Sequence, residues 1–211
     1  MTARESVSLA GAILAGGSAQ RMRGLGKAQV RLGKYSLLQH VIRRFRPQVD
    51  RLLVSVHSVD EALSRDGFEW VPDALNRRRG PLAGVYSALA KLVEVKGQDW
   101  LLVVPVDAPF LPLDLGQRLM RAAQTQQKPV AVAMYRGAVQ PVFSLWNTTT
   151  LPALKDSLDT RGQPGFRHIL NDLAHVRVEW PVLTPPPFFN VNSEADLDAA
   201  RLLVDAQVSE A

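Results

Sequence analysis

Apolar and polar positions along the chain follow two alternating periods. Compact apolar runs at 8–14, 51–57, 68–71, 100–106, 130–135, 139–146 and 176–180 predict β-strands. Leu101, Leu102, Val103 and Val104 leave no polar face, the pattern of a central parallel strand covered by helices on both sides. Between the runs the period lengthens. Leu37, Leu38, Val41, Ile42 and Phe45 trace one helical face behind a Ser36 cap, and Leu115, Leu119 and Ala122 trace another after Pro112. Pro81 suits the first position of a helix reaching about Lys91, because proline lacks the N–H that a first turn leaves unpaired. Ser193 and Asp196 form a capping box that opens a final helix carrying Leu197, Ala200 and Val204, with fraying expected over 205–211.

Strands alternating with helices predict a doubly wound, mostly parallel sheet in a three-layer α/β/α arrangement. Sheets of this kind bind ligands outside the carboxyl ends of their strands, so the loops after each strand are where chemistry is expected. No repeat, low-complexity tract or long linker divides the chain, and residues 1–211 read as a single domain. Pro185, Pro186 and Pro187 form a run too short to be more than a stiff turn.

Composition narrows the chemistry. With 0 cysteines, disulfides, thiolate metal sites and cysteine nucleophiles are excluded. A formal charge of +5, with Lys and Arg together at 25, favours an anionic partner, and the excess of arginine over lysine supplies planar forks suited to phosphate or carboxylate. The apolar stretch at 9–15 is far short of the roughly 20 residues that a membrane span needs, and Gly11 breaks it as a signal-peptide core. A cytoplasmic setting without a membrane partner is expected. A basic nucleic-acid-binding domain would interleave aromatics with its cations, whereas here most aromatics sit within the apolar runs, so no nucleic-acid partner is expected.

After the first strand comes Leu14-Ala15-Gly16-Gly17, then Arg21, Arg23, Gly24, Gly26 and Lys27. Glycines allow backbone N–H groups to approach an anion, and the three cations can neutralise it. An exposed turn with solvated charges is the plainer alternative. Two familiar phosphate motifs fail. A Walker A loop would need glycine at Arg21 and a hydroxyl at Ala28, and the dinucleotide fingerprint would need glycine at Gln29.

The same loop resembles the signature of the molybdenum cofactor guanylyltransferase family, a nucleotidyltransferase family whose pattern is LAGG, RMG and then lysine. Further motifs follow in the family's order: Gly80-Pro81-Leu82-Ala83-Gly84, Pro105-Val106-Asp107-Ala108-Pro109-Phe110, Gln140-Pro141 and Phe189-Asn190-Val191-Asn192. The resemblance implies a Rossmann-like nucleotidyltransferase fold. It also implies transfer of GMP from GTP to the terminal phosphate of molybdopterin, in which a phosphate oxygen attacks the α-phosphorus and pyrophosphate leaves. Arg21, Lys27 and Asp107 are then the catalytic residues. Leu14, Ala15, Gly16, Gly17, Lys27, Ser55, Asp73, Gly80, Pro81, Leu82 and Asp107 line the nucleotide, with Ser55 and Asp73 around base and ribose. Gln140, Pro141, Asn190 and Asn192 face the second substrate. GTP and molybdopterin are the implied small-molecule partners, and other cofactor-biosynthesis proteins and acceptor molybdoenzymes the implied macromolecular ones. LAGG at Leu14 to Gly17 favours guanylyl over cytidylyl and many sugar-nucleotide relatives, which carry LAAG there, and transfer to a sugar phosphate stays open.

Asp107 follows the central apolar run and is fenced by Pro105 and Pro109. Magnesium takes oxygen ligands and is commonly held by one or two carboxylates plus substrate phosphates, so Asp107 is the expected Mg²⁺ ligand, with Mn²⁺ as a substitute. An Asx turn or helix cap is the alternative for this aspartate, and a polar turn is the alternative for the two asparagines. Arg77, Arg78 and Arg79 read either as a solvated face or as a clamp on the second anion. His57, His168 and His175 lack metal-ligand spacing. One departure stands out: the family places aspartate directly before the lysine, where this chain has Gly26.

Overall fold

A computed structural model describes residues 8–15, 26–56, 68–72, 80–95, 97–161 and 165–209. Nine strands and six α-helices are described. The main sheet has seven strands: β1 (Leu9–Leu14), β4 (Arg51–Val56), β5 (Glu69–Pro72), β6 (Trp100–Pro105), β7 (Val130–Tyr135), β8 (Ala138–Asn147) and β9 (His175–Trp180). They lie in the order β5-β4-β1-β6-β8-β7-β9. β4, β5 and β6 extend the sheet from β1 through parallel pairs, β8 runs antiparallel between β6 and β7, and β9 returns parallel to β7. The predicted strand runs all fall within a residue or so of these spans.

The reversal at β8 has a local cause. β7 and β8 are joined by Arg136 and Gly137, both at positive φ (51° and 74°), the conformation of a two-residue hairpin turn whose twist matches the strands it joins. Such a turn can only give antiparallel pairing. Farther along, the ladder to β7 steps from Val132 opposite Ser144 to Ala133 opposite Gln140, leaving Pro141, Val142 and Phe143 as a bulge. Pro141 has no N–H to give to a ladder, so the break falls where the backbone cannot pair.

The doubly wound arrangement follows from the apolar pattern of β6. Leu102 and Val104 pack with α1 (Leu37–Phe45) and α3 (Leu115–Thr125) through Val41, Phe45, Leu115 and Leu119. Leu101 and Val103 pack on the opposite face with α2 (Pro81–Val93), α4 (Leu151–Arg161) and α5 (Phe166–Asp172) through Leu82, Leu89, Leu154 and Ile169. All four β6 residues have 0% exposure, as a strand covered on both sides requires. α2 lies close to the sheet at Gly84, where a Cβ would come within 2.6 Å of Ser55 Oγ and 3.0 Å of Leu14 Cδ2.

A third apolar cluster sits beside the carboxyl edge, where β2 (Arg31–Leu32) and β3 (Tyr35–Ser36) form a small hairpin under α6 (Glu194–Ser209). Ser36 caps α1 in a capping box with Gln39, as its position predicts. α6 continues to Ser209, and its Leu203 and Val204 pack against the third cluster. Among the described residues no helix is long and apolar enough to cross a membrane.

Candidate active site

Three parallel strands deliver their carboxyl ends to one place. Leu14 lies opposite Pro105 in the β1–β6 ladder, and the main chain stays zipped beyond the strands through Val106 N–H to Leu14 O (3.1 Å) and Ala15 N–H to Ser55 O (2.9 Å). Asp107 is therefore held at the rim of the sheet on backbone fixed by β1. Its own carbonyl accepts from Val191 N–H at 2.9 Å, which ties the 189–192 segment to it.

Lys27 enters from the end of the glycine loop, on a short 3₁₀ turn (Lys27–Gln29). Its Nζ donates to Asp107 Oδ2 at 2.6 Å and to Asn192 Oδ1 at 2.5 Å. The Lys27 and Asp107 side chains are only 12% and 14% exposed, so this ion pair is screened far less than a surface one. Lys27 and Asp107 line a cleft of about 260 Å³ together with Leu14, Ala15, Gly26, Pro81 and Asn190, and Asn192 joins the cluster through its bond to Lys27.

Two polar atoms of this cleft are unsatisfied. Asp107 Oδ1 and Asn190 Oδ1 are buried with no hydrogen-bond partner among the described residues. Buried polar atoms are nearly always paired, so these oxygens mark where a ligand donor or a cation would bind. Hard cations take oxygen ligands, and Asp107 keeps one carboxylate oxygen free while the other holds Lys27. The donor set fits a divalent ion held by one carboxylate together with ligand phosphates and water. No group of three or more His, Cys, Asp or Glu side chains that could cage a metal occurs among the described residues.

Gly80 is at φ 72°, outside the range that L side chains favour, and it turns the chain into α2, whose first residue, Pro81, lines the cleft. In that first turn Pro81 has no N–H and Ala83 N–H is bonded to Gly80 O at 3.1 Å, so an anion there would be met by the helix dipole more than by free donors. Leu82 is fully buried in the core below, and Ser55 is buried against Gly84 with 2% exposure, so neither presents its side chain to the cleft. Gln140 donates to Ala138 O at 3.3 Å. Pro141 lines a separate cavity of about 450 Å³ with Arg167, His175 and Arg177. It is Val142, the next residue of the bulge, that lines the Lys27–Asp107 cleft. Nothing in the sequence pattern singles out Val142, because its position depends on the register break. Gly16, Gly17, Arg21, Asp73 and the run Arg77 to Arg79 lie outside the described residues.

A doubly wound sheet with a lysine, a carboxylate and two amides at its carboxyl edge defines a nucleotide-handling α/β protein, and the same fold recurs in solved nucleotidyltransferases. Molybdopterin-guanine dinucleotide biosynthesis protein A from Archaeoglobus fulgidus superposes with a TM-score of 0.76 at 19% identity, covering 93% of this chain and 99% of that one. A 4-diphosphocytidyl-2C-methyl-D-erythritol synthase from Anaerococcus prevotii superposes with a TM-score of 0.70 at 11% identity, covering 94% and 98%. The MobA-like NTP transferase domain matches residues 11–178. Molybdenum cofactor guanylyltransferases are similar over nearly the whole length: that of Mesorhizobium japonicum is 36% identical over 92% of this chain and 96% of its own. The enzyme from Shewanella putrefaciens is 35% identical over 86% and 90%. The chain belongs to the molybdenum cofactor guanylyltransferase family of MobA-like NTP transferases, and it is a nucleotidyltransferase. NTP transferases of this family generally use a divalent metal ion.

Proposed function

We propose that the chain transfers GMP from GTP to the terminal phosphate of molybdopterin. The acceptor oxygen forms a bond to the α-phosphorus, the bond between that phosphorus and the oxygen bridging to the β-phosphate breaks, and pyrophosphate leaves with the electron pair. The observation that carries this reading is the pair Lys27 and Asp107, held together with Asn192, lining a cleft at the ends of β1 and β6 in a chain whose curated relatives are named for guanylyl transfer.

The acceptor is already an anion, so no protein nucleophile is needed and the work is positioning and charge neutralisation. The Lys27 ammonium neutralises charge on the triphosphate and on the departing pyrophosphate. Arg21 adds a second cation from the same loop, and the backbone N–H groups of Gly16 and Gly17 serve as donors. The start of α2 at Gly80 and Pro81 faces the anionic side of the nucleotide, and Asp73 and the main chain near Ser55 border base and ribose. Asn190 and Asn192 lie on the acceptor side. Asp107 holds Mg²⁺, with Mn²⁺ as a substitute; when bound, the ion supplies positive charge to the phosphates. The reaction is cytoplasmic, and acceptor molybdoenzymes consume the product.

The test is pyrophosphate release by purified protein with Mg²⁺, GTP and molybdopterin, with the guanine dinucleotide identified by mass spectrometry. Product from GTP and little from CTP supports the reading. Product from CTP alone overturns the choice of base.

A further inference from the structure

Asn192 is held from two directions. Its neighbour Val191, with 0% exposure, is fixed by the 2.9 Å bond from its N–H to Asp107 O. From the other side, Asp196 Oδ2 accepts from Ser193 N–H at 2.8 Å, from Ser193 Oγ–H at 2.8 Å and from Asn192 N–H at 3.0 Å. The Asp196 N–H donates back to Ser193 Oγ at 3.2 Å. The reciprocal pair between Ser193 and Asp196 is a capping box for α6. The third bond, to Asn192 N–H, is not required by a cap.

We propose that Asp196 is a positioning residue for the transfer: its carboxylate fixes the main chain at Asn192 so that the Asn192 amide oxygen holds Lys27 against Asp107. A short chain of bonds runs from Asp196 to the Asn192 backbone, through the Asn192 amide to Lys27 Nζ, and on to Asp107 Oδ2. Asp196 itself does not line the cleft. Lysine has four rotatable side-chain bonds, and a short polar contact made by an amide on a fixed strap is what restricts them. Because Val191 is anchored independently to Asp107, loss of the Asp196 carboxylate frees the Asn192 side chain without unseating the segment.

This inference rests on the guanylyl-transfer reading, and two controls separate them. Ser193→Ala removes the cap hydroxyl but keeps the carboxylate on Asn192 N–H, whereas Asp196→Ala removes the carboxylate from both Asn192 and Ser193 and leaves the hydroxyl on the residue 196 N–H. Both variants are expected to lower the thermal midpoint. Asp196→Ala is expected to lower kcat about tenfold, in the range seen when outer partners of site residues are removed. KM for GTP stays within about twofold, as for an interaction expressed in the transition state, and Ser193→Ala keeps kcat within about twofold of wild type. Asp196→Glu restores turnover, since glutamate also serves in this box.

The second readout needs no substrate. The Lys27 ammonium, assigned by its loss in Lys27→Arg, is expected to give a slowly exchanging lysine Nζ signal in wild type and Ser193→Ala, and a broadened one in Asp196→Ala. Parallel loss of kcat in both variants, or an unchanged Lys27 signal in Asp196→Ala, overturns the proposal. If wild type makes no guanine dinucleotide, the reaction assignment fails, while the Lys27 signal still decides the role of Asp196.

Discussion

Lys27 Nζ lies 2.6 Å from Asp107 Oδ2, while Asp107 Oδ1 is buried without a partner among the described residues. One carboxylate thus serves two positive charges, a lysine on one oxygen and, in the proposed reaction, a metal ion on the other. The bond to Lys27 aims the Asp107 carboxylate before any nucleotide arrives. It also means that Lys27 and the metal compete electrostatically while they cooperate on the triphosphate.

Replacing Asp107 by asparagine keeps the shape of the side chain and removes its charge. Lys27 then loses its counter-charge, and the oxygen assigned to the metal becomes an amide. Turnover is expected to fall by roughly 10²–10³, the cost of removing one preorganised electrostatic group. The Mg²⁺ concentration for half-maximal rate should rise as well. Steady-state pyrophosphate release across a Mg²⁺ titration measures both, and a variant with normal turnover would remove Asp107 from the chemistry.

Lys27→Met gives the opposite sign in the resting protein. Removing a cation 2.6 Å from the carboxylate takes away repulsion felt by an incoming divalent ion, so affinity for Mn²⁺ without nucleotide should rise by roughly tenfold, about 1.4 kcal/mol. Turnover should nevertheless fall by roughly 10², because the leaving pyrophosphate loses its cation. Electron paramagnetic resonance titration with Mn²⁺ reads the first effect and pyrophosphate release the second. Weaker Mn²⁺ binding in Lys27→Met would show that the lysine organises the carboxylate more than it competes for it.

The seven strands of the main sheet were legible because each buried run carries its own apolar signature, down to the two-faced Leu101–Val104 stretch that both halves of the core share, whereas β2 and β3, two residues each, are too short to carry one. α4 and α5 were not legible. α4 buries only Leu154, Ser157 and Leu158, with Pro152 in its first turn, and α5 spans 7 residues, so neither shows an extended apolar stripe. At the site, motif resemblance marked Lys27, Asp107 and Asn192, but only the fold pairs residues 80 and 165 positions apart. Val142 and the Asp196 bond to Asn192 depend on a bulge and on one extra contact of a cap, neither of which has a periodicity to read.

Two glycines near the cleft should answer differently to a side chain. At Gly84 a Cβ would meet Ser55 Oγ at 2.6 Å and Leu14 Cδ2 at 3.0 Å, so Gly84→Ala should cost about 1–3 kcal/mol and move the ends of β1 and β4. At Gly26, φ is −64° and a Cβ would meet nothing within 4 Å. Gly26→Asp, which installs the carboxylate usual in the family, should leave the thermal midpoint within the small range of exposed substitutions, about 0.5 kcal/mol. Its effect should fall on GTP affinity, where a carboxylate beside Lys27 alters the charge presented to the phosphates. Thermal unfolding and calorimetric GTP titration of both variants check this, and a large loss of stability in Gly26→Asp would mean that the open space is occupied.

Acid should weaken the protein through Asp196 in a predictable window. Hydrogen bonds from the Ser193 side chain, then from Asn192 N–H, hold its carboxyl below the ordinary value of 3.8, with burial opposing them and the charge of Lys27 adding to them. A carboxyl whose folded value lies below its unfolded one contributes stability that is complete above the unfolded value and is lost as pH falls through the folded one. Asp196→Asn keeps an acceptor oxygen in place of the charge, so the difference between the two proteins isolates ionisation. Thermal midpoints of wild type and Asp196→Asn should differ by a constant amount from pH 7 down to about 5, and the gap should close below about 4 as Asp196 protonates. Other titrating groups act alike in both proteins and cancel in the difference. A gap that stays constant to pH 2.5 would mean that the charge of Asp196 adds nothing to its hydrogen bonds, and that a neutral acceptor holds Asn192 equally well.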